Sequence, residues 1–356
     1  MLWVLMNLGR TIIAFLLLPL CAAANPNGPA AKPAALVSTN TLRARVVAVH
    51  ADAATAAFIP DVTVVRKMVA SGLLGISGKA TANEAWHSFV TPKDVVGFKV
   101  TAAPGAVSGT RLATVQALVE NLLATGHPAR QIVIWDKRDL DLRAGGWHRL
   151  ADTLGVRCVA SEDAGWDESK SYDSPIIGRL VAGDLEFGRK ETDHMARKSY
   201  VSRLLTHDLT KIVTVAPVLS HNVAGVNGQL AGLAWASADN TLRFAGVAAR
   251  LAESVPAICA LDDVLPRLAF AVSDALLCQF RGEETTLLHY AVALNELRFS
   301  KDPVALDVLA LADIEQARAN AKVEGERKLT TELYTNAELI ELGVADPKRI
   351  DVTRVP

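Results

Sequence analysis

Val95-Val96-Gly97-Phe98-Lys99-Val100-Thr101, followed by Leu112-Ala113-Thr114-Val115-Gln116-Ala117-Leu118-Val119-Glu120-Asn121-Leu122-Leu123 and then Gln131-Ile132-Val133-Ile134-Trp135, is the stretch that decides the fold. Its first and third pieces are short, apolar and rich in β-branched residues, as expected for strands buried on both faces. Between them Leu112, Val115, Leu118, Val119 and Leu122 recur at helical spacing over 110–124, and Gly126 stands where a helix stops. Strand, helix and strand therefore complete one crossover unit.

The same alternation continues outward in both directions. A β-branched run at 45–50 reads as a first strand, and 61–74 carries Val62, Val65, Met68 and Val69 at helical spacing. Further on, 211–219 is a buried strand, 243–254 an Ala-rich helix, and 268–272 an apolar strand that runs into Ser273 and Asp274. A strong helix at 304–319 has Asp302 at its N-cap position and Pro303 at its first turn, with Asp307 close behind. A last short helix falls near 336–342. This pattern predicts an α/β fold: a mostly parallel open sheet with helices on both faces. The middle is less regular. Residues 158–188 mix turn residues with strand-like pieces, and 190–205 is polar and reads as partly helical, so a small inserted subdomain is expected at about 158–208.

The N-terminus reads as a processing signal. Arg10 precedes an apolar run at 11–20, and Ala22, Ala23 and Ala24 form a small-residue cleavage site. That is the pattern of a secretory signal peptide over 1–24, with a retained anchor as its competitor. Residues 25–40 read as a flexible leader, and 41–356 as a single α/β domain in a periplasmic or secreted protein. Of the 356 residues 50% are hydrophobic and 21% charged, which fits a well-cored globular chain. The net charge of -1 offers no footprint for nucleic acid, and no second membrane segment follows the leader. Cys158, Cys259 and Cys278 lack C-x-x-C spacing, so no iron–sulfur cluster is expected. Cys259 and Cys278 could pair in an oxidising compartment; buried unpaired thiols are the alternative.

Ligands of open α/β sheets bind beyond the carboxyl ends of strands. Polar residues gather after four of the expected strands. Lys99 and Thr101 precede a Gly-rich turn at 104–111, which suits an anion or is an ordinary turn with Ser108 or Thr110 as cap. Asp136-Lys137-Arg138-Asp139 suits a polar substrate or is a solvated charge run. His221 and Asn222 lie in a loop with Asn227, Gly225 and Gly228; a neutral imidazole there can ligate a metal, move a proton or simply cap a carbonyl. Asp274 ends a strand, and Asp302 is a hard ligand or only a cap. Gly72-Leu73-Leu74-Gly75-Ile76-Ser77-Gly78-Lys79-Ala80 approaches a phosphate loop, but its glycine spacing is one off and Ala80 replaces the magnesium-binding hydroxyl.

Several segments together resemble a prokaryotic family catalogued as domain of unknown function 362. They include Val96-Gly97-Phe98-Lys99-Val100-Thr101, Ile132-Val133-Ile134-Trp135-Asp136 and Ala216-Pro217-Val218-Leu219-Ser220-His221-Asn222-Val223-Ala224-Gly225-Val226. Asp239-Asn240-Thr241-Leu242-Arg243-Phe244, Val272-Ser273-Asp274-Ala275-Leu276 and Ser300-Lys301-Asp302-Pro303-Val304-Ala305-Leu306-Asp307 follow in the family's order. The resemblance implies an α/β fold with Lys99, His221, Asn240, Arg243, Asp274 and Asp302 in recurring motifs, and it implies no general reaction. Where the family usually has Leu-Lys-Asn after the Gly225 loop, this chain has Leu230-Ala231-Gly232. Where the family often has a glycine-proline turn, it has Gly282-Glu283-Glu284.

The expected function is an enzyme acting on a small polar or anionic substrate, with a divalent metal as an optional cofactor. His221, Lys99 and Asp274 are its catalytic candidates. Asp136, Arg138, Asn222, Asn240, Arg243 and Asp302 are its ligand-binding candidates. A ligand carrier or interaction protein without chemistry is the alternative.

Overall fold

The computed structural model describes residues 42–189, 194–283, 285–323 and 329–355. The signal and leader read at 1–24 and 25–40 lie outside the described residues. Apart from a two-residue ladder between Thr55–Ala56 and Ile59–Pro60, the strands in chain order are β1 (Ala44–His50), β2 (Val96–Val100), β3 (Ile132–Asp136), β4 (Arg157–Ala160), β5 (Trp166–Arg179), β6 (Met195–Ser202), β7 (Lys211–His221), β8 (Gly225–Val226), β9 (Leu268–Gln279), β10 (Ala291–Ser300) and β11 (Ile350–Val355). The helices that cover the sheet are α1 (Val62–Ser77), α2 (Leu112–Leu123), α3 (Trp147–Leu154), α4 (Gln229–Ser237), α5 (Ala248–Cys259), α6 (Pro303–Asn320) and α7 (Glu332–Leu339).

The main sheet has the order β11-β1-β10-β9-β7-β2-β3-β4, and β8 folds back onto β7. β4, β3, β2, β7 and β9 run parallel to one another. β10 alone on that path is antiparallel to both neighbours, and β11 runs parallel to β1. Side chains that alternate along each strand feed two separate cores. Ile132 and Ile134 of β3 pack with α1, α2 and α3 on one face, whereas Val133 and Trp135 pack with α4, α5, α6 and α7 on the other. The protein is thus a mixed α/β fold with a mostly parallel sheet between two helical layers. Among the described residues no helix is long and apolar enough to cross a membrane.

Strand order fixes where a ligand can sit. From β2 the chain steps outward to β3 and β4, then returns to place β7 on the opposite side of β2. The connections diverge at that point, which leaves a crevice above the carboxyl ends of β2 and β7.

Four expectations are corrected. β9 does not end near 272; it continues through a register shift to Gln279, so Asp274 lies inside a strand. The helix expected over 243–254 begins at Ala248, and Arg243 sits in a short turn, Leu242–Ala245. The polar segment at 190–205 holds strand β6, which pairs with β5 as a hairpin outside the main sheet, in the region read as a subdomain. Gly72 and Gly75, read as an imperfect phosphate loop, lie within α1. A Cβ on Gly72 would stand 2.1 Å from Phe299, and one on Gly75 2.6 Å from Val47, so these glycines let the helix lie close on the sheet.

Candidate functional site

A cavity of about 260 Å³ opens at that switch point, close to the roughly 300 Å³ where small-molecule pockets begin. Lys99 and Thr101 line it from the end of β2. Asp136, Lys137 and Arg138 enter from β3, His221 from β7, and Gly232 and Trp235 from α4. Asp141, Glu162 and Asp184 stand around it with Thr241 and Trp166.

One part of the cavity is organised around Gly232. A Cβ built on this residue would lie 2.9 Å from Lys99 Nζ, 3.7 Å from Thr101 Oγ1 and 3.8 Å from Asn227 Oδ1. Thr101 and Asn227 are 4% and 2% exposed. Neither of those oxygens has a hydrogen-bond partner among the described residues, and neither does the Trp235 indole N–H. Leaving such groups buried and unpaired costs about 1–3 kcal/mol each, so this cluster is where the cavity has unused hydrogen-bonding capacity. Lys99 is 5% exposed along its side chain and lies 3.7 Å from Asp136 Oδ1, too far for a tight pair. Burial lowers its pKa, and the Asp136 carboxylate only partly opposes that shift.

The acids here are mostly committed to backbone. Asp136 accepts the amides of Ala102 and Lys137, each at 2.8 Å. Asp184 accepts those of Val181 at 2.8 Å and Asn240 at 2.7 Å. Glu162 accepts the Asp139 amide through one oxygen. The Thr101 hydroxyl, the Trp235 indole N–H and the loosely paired Lys99 ammonium are donors not committed in this way, while Asn227 Oδ1 is an unused acceptor, so three donors against one acceptor favour an anionic or strongly accepting ligand.

His221 has a defined tautomer. Its Nδ1 accepts the amides of Val223 at 3.2 Å and Ala224 at 3.1 Å, which places the neutral ring's proton on Nε2. Burial lowers its pKa, against the attraction of Glu283, and the ring lies 5.0 Å from that of Trp235. His221 is therefore a neutral hydrogen-bond donor. A metal ligand or a base would need that nitrogen unprotonated. Lys137 donates to Thr241 Oγ1 at 2.8 Å and lies 5.9 Å over the Trp166 ring, and loss of water brings its pKa down to about 8.

The expected site residues divide into two groups. Lys99, Asp136, Arg138 and His221 line the cavity. Asp274, Asn222, Asn240, Arg243 and Asp302 are not in its lining, and structural bonds occupy most of them. Asp274 is fully buried, accepts the Arg111 amide at 2.8 Å and the Thr114 hydroxyl at 3.2 Å, and so caps α2; the carboxylate that acts on His221 is Glu283. Arg243 donates to Ser199 Oγ, Ser174 Oγ, Ile176 O and Tyr172 O, which ties down the β5–β6 hairpin. Asn240 turns the chain at φ 42° and donates to Lys198 O. Asp302 caps α6 through Ala305 and holds Val344 as well. Asn222 is exposed, and its amide reaches Glu283 at 2.7 Å.

The Gly-rich turn at 104–111 satisfies itself: Ser108 bonds Gln279, and Thr110 bonds Val215 O. Cys158, Cys259 and Cys278 are free thiols. Among the described residues no three His, Cys, Asp or Glu side chains group closely enough to hold a metal ion. Sequence reasoning missed Gly232, Trp235 and Thr241, passed over Asn227, and treated Lys137 as part of a surface turn. A glycine inside the otherwise Ala- and Leu-rich α4 was the available signal.

Fold and site together define an α/β protein with a cavity at the topological switch point of its sheet. No family model matches the chain, and no curated protein matches it. The chain is similar to a protein from Thermotoga maritima whose crystal structure came from the Northeast Structural Genomics Consortium, at 11% identity and a TM-score of 0.39. The match covers 77% of this chain and 60% of that one, and nothing about activity is carried over from it.

Proposed function

We propose that this chain is an enzyme that takes a small anionic substrate in the switch-point cavity. Lys99 counters the substrate's charge, Thr101 and Trp235 donate to it, and His221 donates from Nε2. The observation that carries this reading is the convergence of the Lys99 ammonium with unpartnered buried polar atoms around Gly232. Lys137, titrating at about 8, is the group able to give or take a proton near neutral pH. Three titratable side chains with depressed pKa values in one cleft, Lys99, Lys137 and His221, favour chemistry over simple carriage. The apolar run at 11–20 and the small residues at 22–24, read as a signal peptide, support an extracytoplasmic location as part of the proposal. A ligand carrier is the second reading, and a co-purifying molecule recovered unchanged after long incubation would favour it.

Gly232→Ala tests the site directly. Alanine suits a helix interior better than glycine by about 1 kcal/mol, and the atom it meets is the free end of a lysine side chain, so the fold is kept. The added methyl fills the cradle. Wild type is expected to bind acetate and inorganic phosphate in calorimetric titrations, whereas the variant loses both and melts no lower. Equal binding by the two proteins removes the anion site.

A further inference from the structure

We infer that the cavity takes a zwitterion: a small molecule with its anionic group at Gly232 and a cationic group beside Asp141 and Glu162. This rests on the anion site proposed above and names its substrate class. The lining offers two kinds of chemistry. Beside Gly232 stand Lys99 Nζ and the orphaned oxygens of Thr101 and Asn227, and the Trp235 indole is orphaned in the same lining. The carboxylates of Asp141, Glu162 and Asp184 line it too, with the cations of Lys137 and Arg138 among them.

Asp141 is the residue to weigh. Its side chain is half-buried, and among the described residues its carboxylate has no hydrogen-bond or ion-pair partner. Burial and the nearby charges of Asp136 and Glu162 raise its pKa, with only the exposed Arg138 acting the other way. Like charges held together destabilise one another, and among the described residues neither Arg138 nor Lys137 forms an ion pair with Asp141. Every other acid of this lining is anchored: Glu162 holds one backbone amide, Asp184 holds two, and Asp136 holds two and faces Lys99. Among the described residues Asp141 caps nothing and pairs with nothing. An ammonium or amidinium on the ligand would supply the missing cation, while the ligand's carboxylate or phosphate would meet the donors beside Gly232. The orphaned atoms, themselves more than nine-tenths buried at Thr101 and Asn227, point independently to a ligand here.

The test compares matched pairs by calorimetric titration at pH 7 on the purified protein. Glycine, β-alanine and 4-aminobutyrate are each set against acetate, propionate and butyrate, with succinate as a dianion. At least one amino acid is expected to bind about tenfold tighter than its matched carboxylate, the gain typical of one charged contact. Asp141→Asn is expected to erase that preference and leave carboxylate binding as it was, and Gly232→Ala to abolish both. If no amino acid outbinds its partner, or if Asp141→Asn keeps the preference, the zwitterion inference is overturned. Carboxylates and succinate that still bind in that case leave the anion site standing. If carboxylates, amino acids and phosphate all fail to bind wild type, the anion site falls too.

Discussion

The environment of Lys137 makes it both a cation and a proton carrier. Burial removes water from its ammonium, and the charges of Asp184, Asp239 and Glu162 restore only part of the loss, so it titrates at about 8. The protonated form is the one that attracts an anion. Affinity for acetate, whose own charge is constant in this range, is therefore expected to hold below pH 7 and to fall as pH rises through about 8. Lys137→Met should flatten that slope while Lys99 preserves residual binding; a pH-independent affinity in wild type would sink the idea. The sequence hid this residue because Asp136-Lys137-Arg138-Asp139 looks like any solvated charge run. What closes over it is Trp166 and Thr241, far along the chain and joined to it only by the fold. Gly232 was hidden differently. Beside the family resemblance, Leu230-Ala231-Gly232 reads as a lost polar element, whereas in three dimensions the missing side chain is the space itself.

At the scale of elements, the β5–β6 hairpin shows how a buried arginine can be spent on holding structure. Arg243 is 2% exposed, and its guanidinium donates to four neutral acceptors on the hairpin while lying 4.9 Å from the Tyr172 ring. Gly178 permits this approach, since a Cβ there would stand 2.1 Å from that of Arg243. Arg243→Met leaves those acceptors unpaired and is expected to cost about 3 kcal/mol or more in urea unfolding. Amide exchange should quicken first in 166–179 and 195–202. A ligand-binding arginine would instead leave stability nearly unchanged. The hairpin was also the part of the fold least legible beforehand, because both strands are polar and lie off the main sheet. The buried strands at Ile132–Asp136 and Lys211–His221 announced themselves through β-branched runs, and the helix at Pro303–Asn320 through its cap. Ala291–Ser300 and Ile350–Val355 went unread: charged residues such as Glu296, Arg298 and Asp351 break their apolar pattern. In β10 those charges pair with each other and with Asp313.

At the scale of the molecule, one buried acid links α6 to the helix that carries part of the site wall. Asp307 of α6 accepts the amides of Gln229 at 2.6 Å and Leu230 at 3.0 Å, so it caps the N-terminus of α4, the helix that carries Gly232 and Trp235. Gly228 leaves room for it, since a Cβ there would fall 2.1 Å from Asp307 Oδ1. Those two amides and the helix dipole favour the carboxylate, but complete burial outweighs them and raises the pKa to about 7, with Asp302 adding to the rise. The sign of the linkage follows. A carboxyl whose folded pKa lies above its unfolded value near 4 lends stability that is fully present below about pH 4 and is lost as pH rises to about 7. Asp239, raised to about 6, acts in the same direction, whereas His221 and His127, lowered by burial, act against it below their usual pKa. Comparison with Asp307→Asn cancels those other groups. Unfolding free energies of the two proteins, measured from pH 4 to pH 8, are expected to differ most in favour of wild type at the acid end. That advantage should shrink by up to roughly 4 kcal/mol by neutral pH, about 1.4 kcal/mol for each pH unit between the two pKa values. A difference constant with pH would mean that Asp307 titrates normally. One that grew toward neutral pH would mean that the amides of α4, and not burial, govern the proton.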